Sequence, residues 1–445
     1  MNTQNLLQQF RDAVYQLMPK RADASLDLVD ALTVTGHVTS PVALSEEAPF
    51  RRQFSAVYDV LTQGELESEP LAHVLYAYQP ADSEQVVGFE VYAVDTTSHE
   101  RPAAETLPDR GWLKRQADEP PRAGLKFSWL MRLVQRDTSW VAPWQVQRVA
   151  TQRTDTDVAV EQVKALDRQS PHPKVVVADS LYGNHLFLAA FQVVKTVFAL
   201  VRLRGNLTLY ERPEPKPART RGAPRKHGAK FKLASPSRPP DRAETFHLGE
   251  QSVRLTAWYG LHLRKLPELV GLVLRVEFLK PDGTPRYKRP LWLLWTGPQD
   301  MSLRALCVMY LWRFAIEHAF RFMKQHLGLN ANRSTDLASL DRWMWLCALA
   351  YWQLLLMAPH VEDLRPAWHP RRVAHGAQWP TPGQVQRGAL RFLLKLGTPA
   401  AQPRPAGKGL GRPKGYHPAP RNRYPVVRKG KNKLRRAKKP AYLML

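Results

Sequence analysis

The chain has 445 residues, 44% of them hydrophobic, and its 65 Lys/Arg against 39 Asp/Glu give a formal net charge of +26 and a pI of about 10.2. That size allows two or three domains with cores of their own, and the charge points to a polyanionic partner, nucleic acid or an anionic membrane. The opening MNTQNLLQQF lacks the basic and apolar regions of a signal peptide, Cys307 and Cys347 exclude a disulfide framework or a thiolate zinc site, and the most apolar helix candidate, 343–357, is short for a membrane span. The expectation is a soluble cytoplasmic protein whose partner is nucleic acid, with no membrane.

Residues 1–80 read as a helical N-terminal domain. Leu6, Leu7, Phe10, Val14 and Leu17 recur at helical spacing, as do Phe54, Val57, Tyr58 and Leu61. Five Lys/Arg against ten Asp/Glu leave this region acidic, so its composition does not advertise DNA binding. It serves equally as a packing or dimerisation module.

The pattern then turns to strands. The run 86–94 is apolar and ends at Asp95; 125–134 and 139–150 follow, joined by a turn at 135–138. A helix with an Asp cap is predicted over 155–168, then a short buried strand, 174–178, ending at Asp179. A helix over 184–194 and a strand over 197–203 complete a mixed α/β sheet with two carboxylates just past strand ends. The stretch 211–242 is rich in Pro and basic residues and has no periodicity. It reads as a solvated or DNA-facing loop, with Arg225 and Lys226 as DNA-contact candidates. Three more strands are predicted over 251–259, 270–278 and 289–295.

A helix over 309–324 follows, and the organisation of the chain centres on it. Tyr310, Arg313, Glu317 and Lys324 fall within a sector of about 60° on a helix otherwise built for burial. An i,i+4 surface pair of Arg313 with Glu317 is the plain alternative. A second packing helix spans 337–357, and Trp343, Trp345, Tyr351 and Trp352 on it read as core. The last 45 residues hold fourteen Lys/Arg and no Asp/Glu, which argues for a disordered basic tail. Its GRPKG run offers Arg412 and Lys414 to a DNA minor groove. His185, His227 and His318 show no ligand spacing.

Two aspartates at strand ends and a glutamate on a later helix make a hard-oxygen triad suited to Mg²⁺ or Mn²⁺. Two such ions about 3.5–4 Å apart suit phosphodiester chemistry. Asp95 would bridge both, with Asp179 and Glu317 holding one each.

Tyr310, Arg313, Glu317 and Lys324 resemble, spacing included, the Y-x2-R-x3-E-x6-K signature of bacterial insertion-sequence DDE transposases. Asp95 in VYAVDTTSHERP and Asp179 in VVVADSLYGN look like that group's other two acids. The resemblance covers about 86–357. Leu181 departs from the D-x-G-Y/F form of the second motif, while Tyr182 keeps it. The resemblance implies an α/β fold: an RNase H-like (retroviral integrase-like) catalytic domain with an inserted β-rich subdomain. The parts would be the helical domain 1–80, catalytic segments 86–205 and 299–360, an insertion at 206–298, and a basic Pro/Gly-rich tail at 361–445. Cut-and-paste transposition with two Mg²⁺ or Mn²⁺ ions is implied, on double-stranded DNA comprising terminal inverted repeats and target, by a homodimer on paired ends in the bacterial cytoplasm at the nucleoid. Asp95, Asp179 and Glu317 would be catalytic and metal-binding, with Tyr310, Arg313 and Lys324 on end phosphates. Trp258 is the candidate for stacking on a flipped base, against a place in a local core. A structure-selective nuclease and a non-catalytic DNA-binding relic are the alternative functions.

Overall fold

In the N-terminal helices, apolar residues three and four apart face one way: Leu7, Phe10 and Val14 are buried on α1 (Thr3–Gln16). The computed structural model describes residues 3–115, 119–215, 222–361, 364, 368, 379–405, 411 and 413–428. Helices α2 (Ala22–Val34), α3 (Ser55–Gln63) and α4 (Ser68–Ala77) follow, then strands β1 (Gln85–Val86), β2 (Phe89–Glu100), β3 (Gly111–Leu113), β4 (Arg122–Leu133) and β5 (Val141–Val149). Next come α5 (Asp155–Gln169), β6 (Lys174–Ala178), the short α6 (His185–Leu188) and β7 (Val197–Leu203). Six strands succeed them: β8 (Thr208–Glu211), β9 (Lys230–Lys232), β10 (Arg242–Leu248), β11 (Gln251–Leu263), β12 (Leu266–Leu279) and β13 (Leu291–Trp295). The closing helices are α7 (Leu303–Trp312), α8 (Phe314–Gln325), α9 (Leu337–Met357) and α10 (Pro382–Leu396).

The fold is mixed α/β around one large sheet. Its strands run β3-β4-β2-β6-β7-β13-β12-β11-β8-β9, with β1 beside β2, β5 beside β4 and β10 beside β11. The parallel part is β2-β6-β7; β4, β5 and β13 join it antiparallel. Every residue of β6 is buried, as befits a parallel strand covered on both faces. The two faces can be told apart on β4. Ser128 Oγ donates to Gln162 Oε1 of α5 at 2.8 Å, while the next residue, Trp129, packs edge-on against Phe320 of α8. Successive side chains alternate, so α5 and α8 cover opposite faces.

Several expectations change. β2 does not stop at Asp95 but continues to Glu100, because its antiparallel partner β4 pairs as far as Glu100↔Gly124 while the parallel rungs with β6 end at Val94↔Ala178. The α5 cap is Thr154, not an aspartate: its Oγ1 accepts from Asp157 N–H at 3.2 Å and Asp157 Oδ2 accepts from Thr154 N–H at 2.8 Å. The helix expected over 184–194 is α6 followed by a 3₁₀ turn, Ala189–Gln192. The helix expected over 309–324 is two, α7 and α8, meeting at Arg313. There the bonds tighten to i→i+3: Arg313 N–H to Tyr310 O and Ile316 N–H to Arg313 O, both 3.1 Å. The strands of 206–298 continue the same sheet, through β13 on β7.

Of the last 45 residues, 406–410, 412 and 429–445 lie outside the described residues; a helix precedes the 45, and one described stretch of them packs on the body. α10 is a capped amphipathic helix that buries Val385, Ala389 and Leu393 against α2 and α9. Further on, Tyr424 N–H donates to Glu105 O at 2.8 Å and Val427 N–H to Arg110 O at 2.7 Å, so this stretch lies on the body as a strap beside β3. The acidic N-terminal helices pack on α9 as well. Arg11, 1% exposed, forks onto Asp30 at 2.7 and 2.9 Å and reaches Gln353 of α9 at 2.7 Å. Among the described residues no helix is long and apolar enough to cross a membrane.

Candidate active site

Register brings the first two acids together. Val94↔Ala178 is the last parallel rung between β2 and β6, so Asp95 and Asp179 are the next residue on each of two neighbouring strands. Strands lie about 4.8 Å apart, which sets the two carboxylates side by side at the C-terminal end of the parallel pair. Asp95 also sits opposite Trp129, on the face covered by α8. The third acid comes from α8. Arg313, at the α7–α8 junction, donates through Nη1 to Asp95 Oδ2 at 3.3 Å and through Nη2 to Glu317 Oε1 at 2.7 Å. One guanidinium thus bridges the first and third acids. The plain i,i+4 pair is present too, but it is part of a larger contact.

The backbone orients the aspartates. Asp95 Oδ1 accepts from Thr96 N–H at 2.7 Å, and Asp179 Oδ1 accepts from Leu181 N–H at 2.8 Å. Burial pushes the Asp95 carboxyl up to about 6; Arg313 opposes this, while the negative charges of Asp179 and Glu317 add to it. An acid held this high by desolvation and two like charges marks a place that a cation would relieve. Burial also raises the phenol of Tyr310, which lies near Arg313, Arg202 and Asp179. For Arg313, burial works against the charge, yet Tyr310, Asp95 and Glu317 outweigh it and leave the guanidinium pKa raised. Lys324 has its ammonium pKa lowered by the protein packed about it, against the pull of Asp95 and Glu100. Of the four members of the helix signature, Arg313 and Glu317 are in the contact network of Asp95, and Tyr310 and Lys324 lie within electrostatic reach of its acids.

Other candidates fare differently. Trp258 is in the local core and is not placed to stack on a base. It is 2% exposed, donates Nε1–H to Arg238 O at 3.2 Å, and packs on Phe231 and Trp292 with ring centroids 5.4 and 5.5 Å away. A base would have to displace both rings. Arg225, Lys226 and Lys414 are exposed, and Arg412 lies outside the described residues. Trp343, Tyr351 and Trp352 are buried, as expected of core. His318 packs on Phe314, with ring centroids 4.9 Å apart. Sequence reading missed Arg202 near Tyr310, because an exposed cation inside an apolar strand carries no signal until the helix above it is known.

Among the described residues no three His, Cys, Asp or Glu side chains converge to hold one ion. The donor set, all hard oxygen, suits a divalent cation such as Mg²⁺ or Mn²⁺.

The DDE superfamily endonuclease family matches residues 13–264, more than half of the chain and both aspartates. The chain belongs to this family. Such endonucleases generally use divalent metal ions, in keeping with the donor set. Glu317 lies beyond the matched residues, so its membership of the site rests on the Arg313 bridge. No curated protein matches the chain. Among solved structures it is similar to a piggyBac transposase in a synaptic complex with hairpin DNA, at 9% identity and a TM-score of 0.43 over 90% of this chain and 74% of that one.

Proposed function

We propose that this DDE endonuclease is the transposase of a bacterial insertion sequence, cutting the element's ends and joining them to target DNA. The observation that carries the reading is the arrangement of Asp95 and Asp179 at one parallel strand end with Glu317 drawn in by Arg313. The sheet segment β5-β4-β2-β6-β7, three antiparallel strands then two parallel, supports an RNase H-like catalytic core. In this reading 86–205 and 299–360 are its two parts, and 206–298 is an insertion that shares its sheet.

Asp95 would hold both of two Mg²⁺ or Mn²⁺ ions, with Asp179 and Glu317 holding one each. When bound, the ions supply activation of the attacking water or 3′-hydroxyl and neutralise charge at the scissile phosphate. The chain's own contribution is placement. Thr96 N–H and Leu181 N–H fix the aspartates, and the α7–α8 junction aims Arg313 and Glu317 at the strand end. With the acids committed to metal, the Arg313 fork is free to take phosphate oxygens, for which its geometry suits it, while Tyr310 and Lys324 flank the same strand. The DNA partners are the terminal inverted repeats and target of the element, held by a homodimer in the bacterial nucleoid.

The test is cleavage of a labelled duplex carrying the element's end. Asp95→Asn, Asp179→Asn and Glu317→Gln should each abolish cutting and leave end binding within a few-fold of wild type. Full cutting by any one of them removes that residue from the site.

A further inference from the structure

A cavity of about 1100 Å³ opens on the α5 side of the sheet, reaching the residues that follow Asp179; the acid cluster itself does not line it. Ser180 and Leu181, the two residues after Asp179, form one side of it, and Trp112 and Leu113 of β3 line it as well. Its ionisable lining is one-sided. Lys114, Arg204, Arg264, Lys265 and Arg428 are exposed and make no ion pair among the described residues. The two acids in the wall are already engaged: Asp155 with Lys126 at 2.9 Å, and Asp109 with Arg148 at 2.8 Å. A groove whose anions are neutralised internally and whose cations are left free has the charge pattern of a polyanion site.

The C-terminal strap supplies part of this wall. Buried Arg110 donates through Nη2 to Tyr424 O at 3.0 Å, Val427 pairs with Gly111 at the edge of β3, and Val427 and Arg428 line the groove. The next seventeen residues, 429–445, contain seven Lys/Arg and no Asp/Glu.

We propose that this groove, walled by the C-terminal strap, is the channel along which a DNA backbone runs up to Asp179, with Arg204, Arg264 and Lys265 as phosphate contacts. The proposal rests on the transposase reading for its ligand. It goes beyond that reading in assigning the path to the α5 side of the sheet and to the strap. Trp112, 44% exposed in the groove wall, would lie against the strand.

Two measurements on the full chain test it. The first is the affinity for the end duplex from 50 to 200 mM salt, for wild type and for the triple variant Arg204→Ala/Arg264→Ala/Lys265→Ala. Each lost phosphate contact lowers the log–log slope by about 0.9, so wild type should lose about fortyfold more affinity than the variant across that range. A control pair on α10, Arg391→Ala/Lys395→Ala, should keep the wild-type slope. The second places a photo-crosslinking residue at Trp112, at Val427 or at exposed Leu394 of α10. Crosslinks to the end duplex are expected from the first two positions and not from the third.

Wild-type slope in the triple variant, or no crosslink from Trp112 and Val427, would overturn the channel. If wild type still cuts the duplex in that case, the transposase reading survives and only the path is wrong. If wild type neither binds nor cuts, both fall together.

Discussion

Asp95→Asn should make the metal-free protein more stable while removing its activity. Burial and the charges of Asp179 and Glu317 hold the Asp95 carboxyl at about 6 instead of 3.8, a figure already net of the attraction of Arg313. A difference of about two units corresponds to about 3 kcal/mol against the ionised form at pH 8. The sign follows from the raised value. Below about pH 4 the carboxyl is mostly protonated in both folded and unfolded chains and no cost arises; the cost grows as pH rises from about 4 to 6 and is complete above that. Asparagine carries no charge and keeps an oxygen for the Thr96 N–H, but its amide NH2 replaces the oxygen that accepts from Arg313, so that 3.3 Å bond is lost. Asp95 has a side chain 23% exposed, and the solvent this admits reduces the effect, so we expect a gain of about 1–3 kcal/mol at pH 8. At pH 4 the gain should nearly vanish. Denaturant unfolding with a chelator present, at both pH values, measures this directly. A variant less stable than wild type at pH 8, or one with the same gain at both pH values, refutes the electrostatic account. Added Mg²⁺ should stabilise wild type and not the variant.

Two other groups carry comparable effects. Removing Arg11 strands the buried Asp30, so Arg11→Met should cost about 3–5 kcal/mol at pH 7, with Arg11→Met/Asp30→Leu recovering most of it; a loss below 1 kcal/mol would mean that water reaches Asp30. Burial and the nearby Arg101 and Arg333 depress the His99 imidazole to about 4, so the native state resists its protonation. Stability should therefore fall by up to about 3 kcal/mol as pH drops from 6.5 to 4, and unfolding of His99→Gln should lack that slope.

The parts of the fold legible in the sequence are those governed by short-range patterning. β6 and β7 match the predicted runs to the residue because continuous apolar stretches bounded by polar residues have one way to be buried. Polar strands escape such reading. β10, RAETFHL, is mostly exposed and exists because seven rungs with β11 hold it, a partner that no local propensity reveals. α10 was hidden by the basic, Pro-rich composition around it, although its capping box, Thr381 with Gln384, and Pro382 at the first turn are visible signals. At the site, each aspartate could be found as the residue after an apolar strand, and Glu317 from its signature. The Arg313–Asp95 bridge could not, since 218 residues separate the two and only the sheet joins them. The burial of Trp258 likewise depends on Phe231 and Trp292, which come from different strands.

In the transposase reading this acid cluster both cuts and joins DNA. The most direct measurement incubates a labelled end duplex and a plasmid with the protein and Mg²⁺ or Mn²⁺, beside Glu317→Gln. Metal-dependent joining of the label to the plasmid, absent from the variant, is the predicted result. Cleavage without joining would contradict the transposase reading in favour of a nuclease, and binding without either would leave a DNA-binding relic.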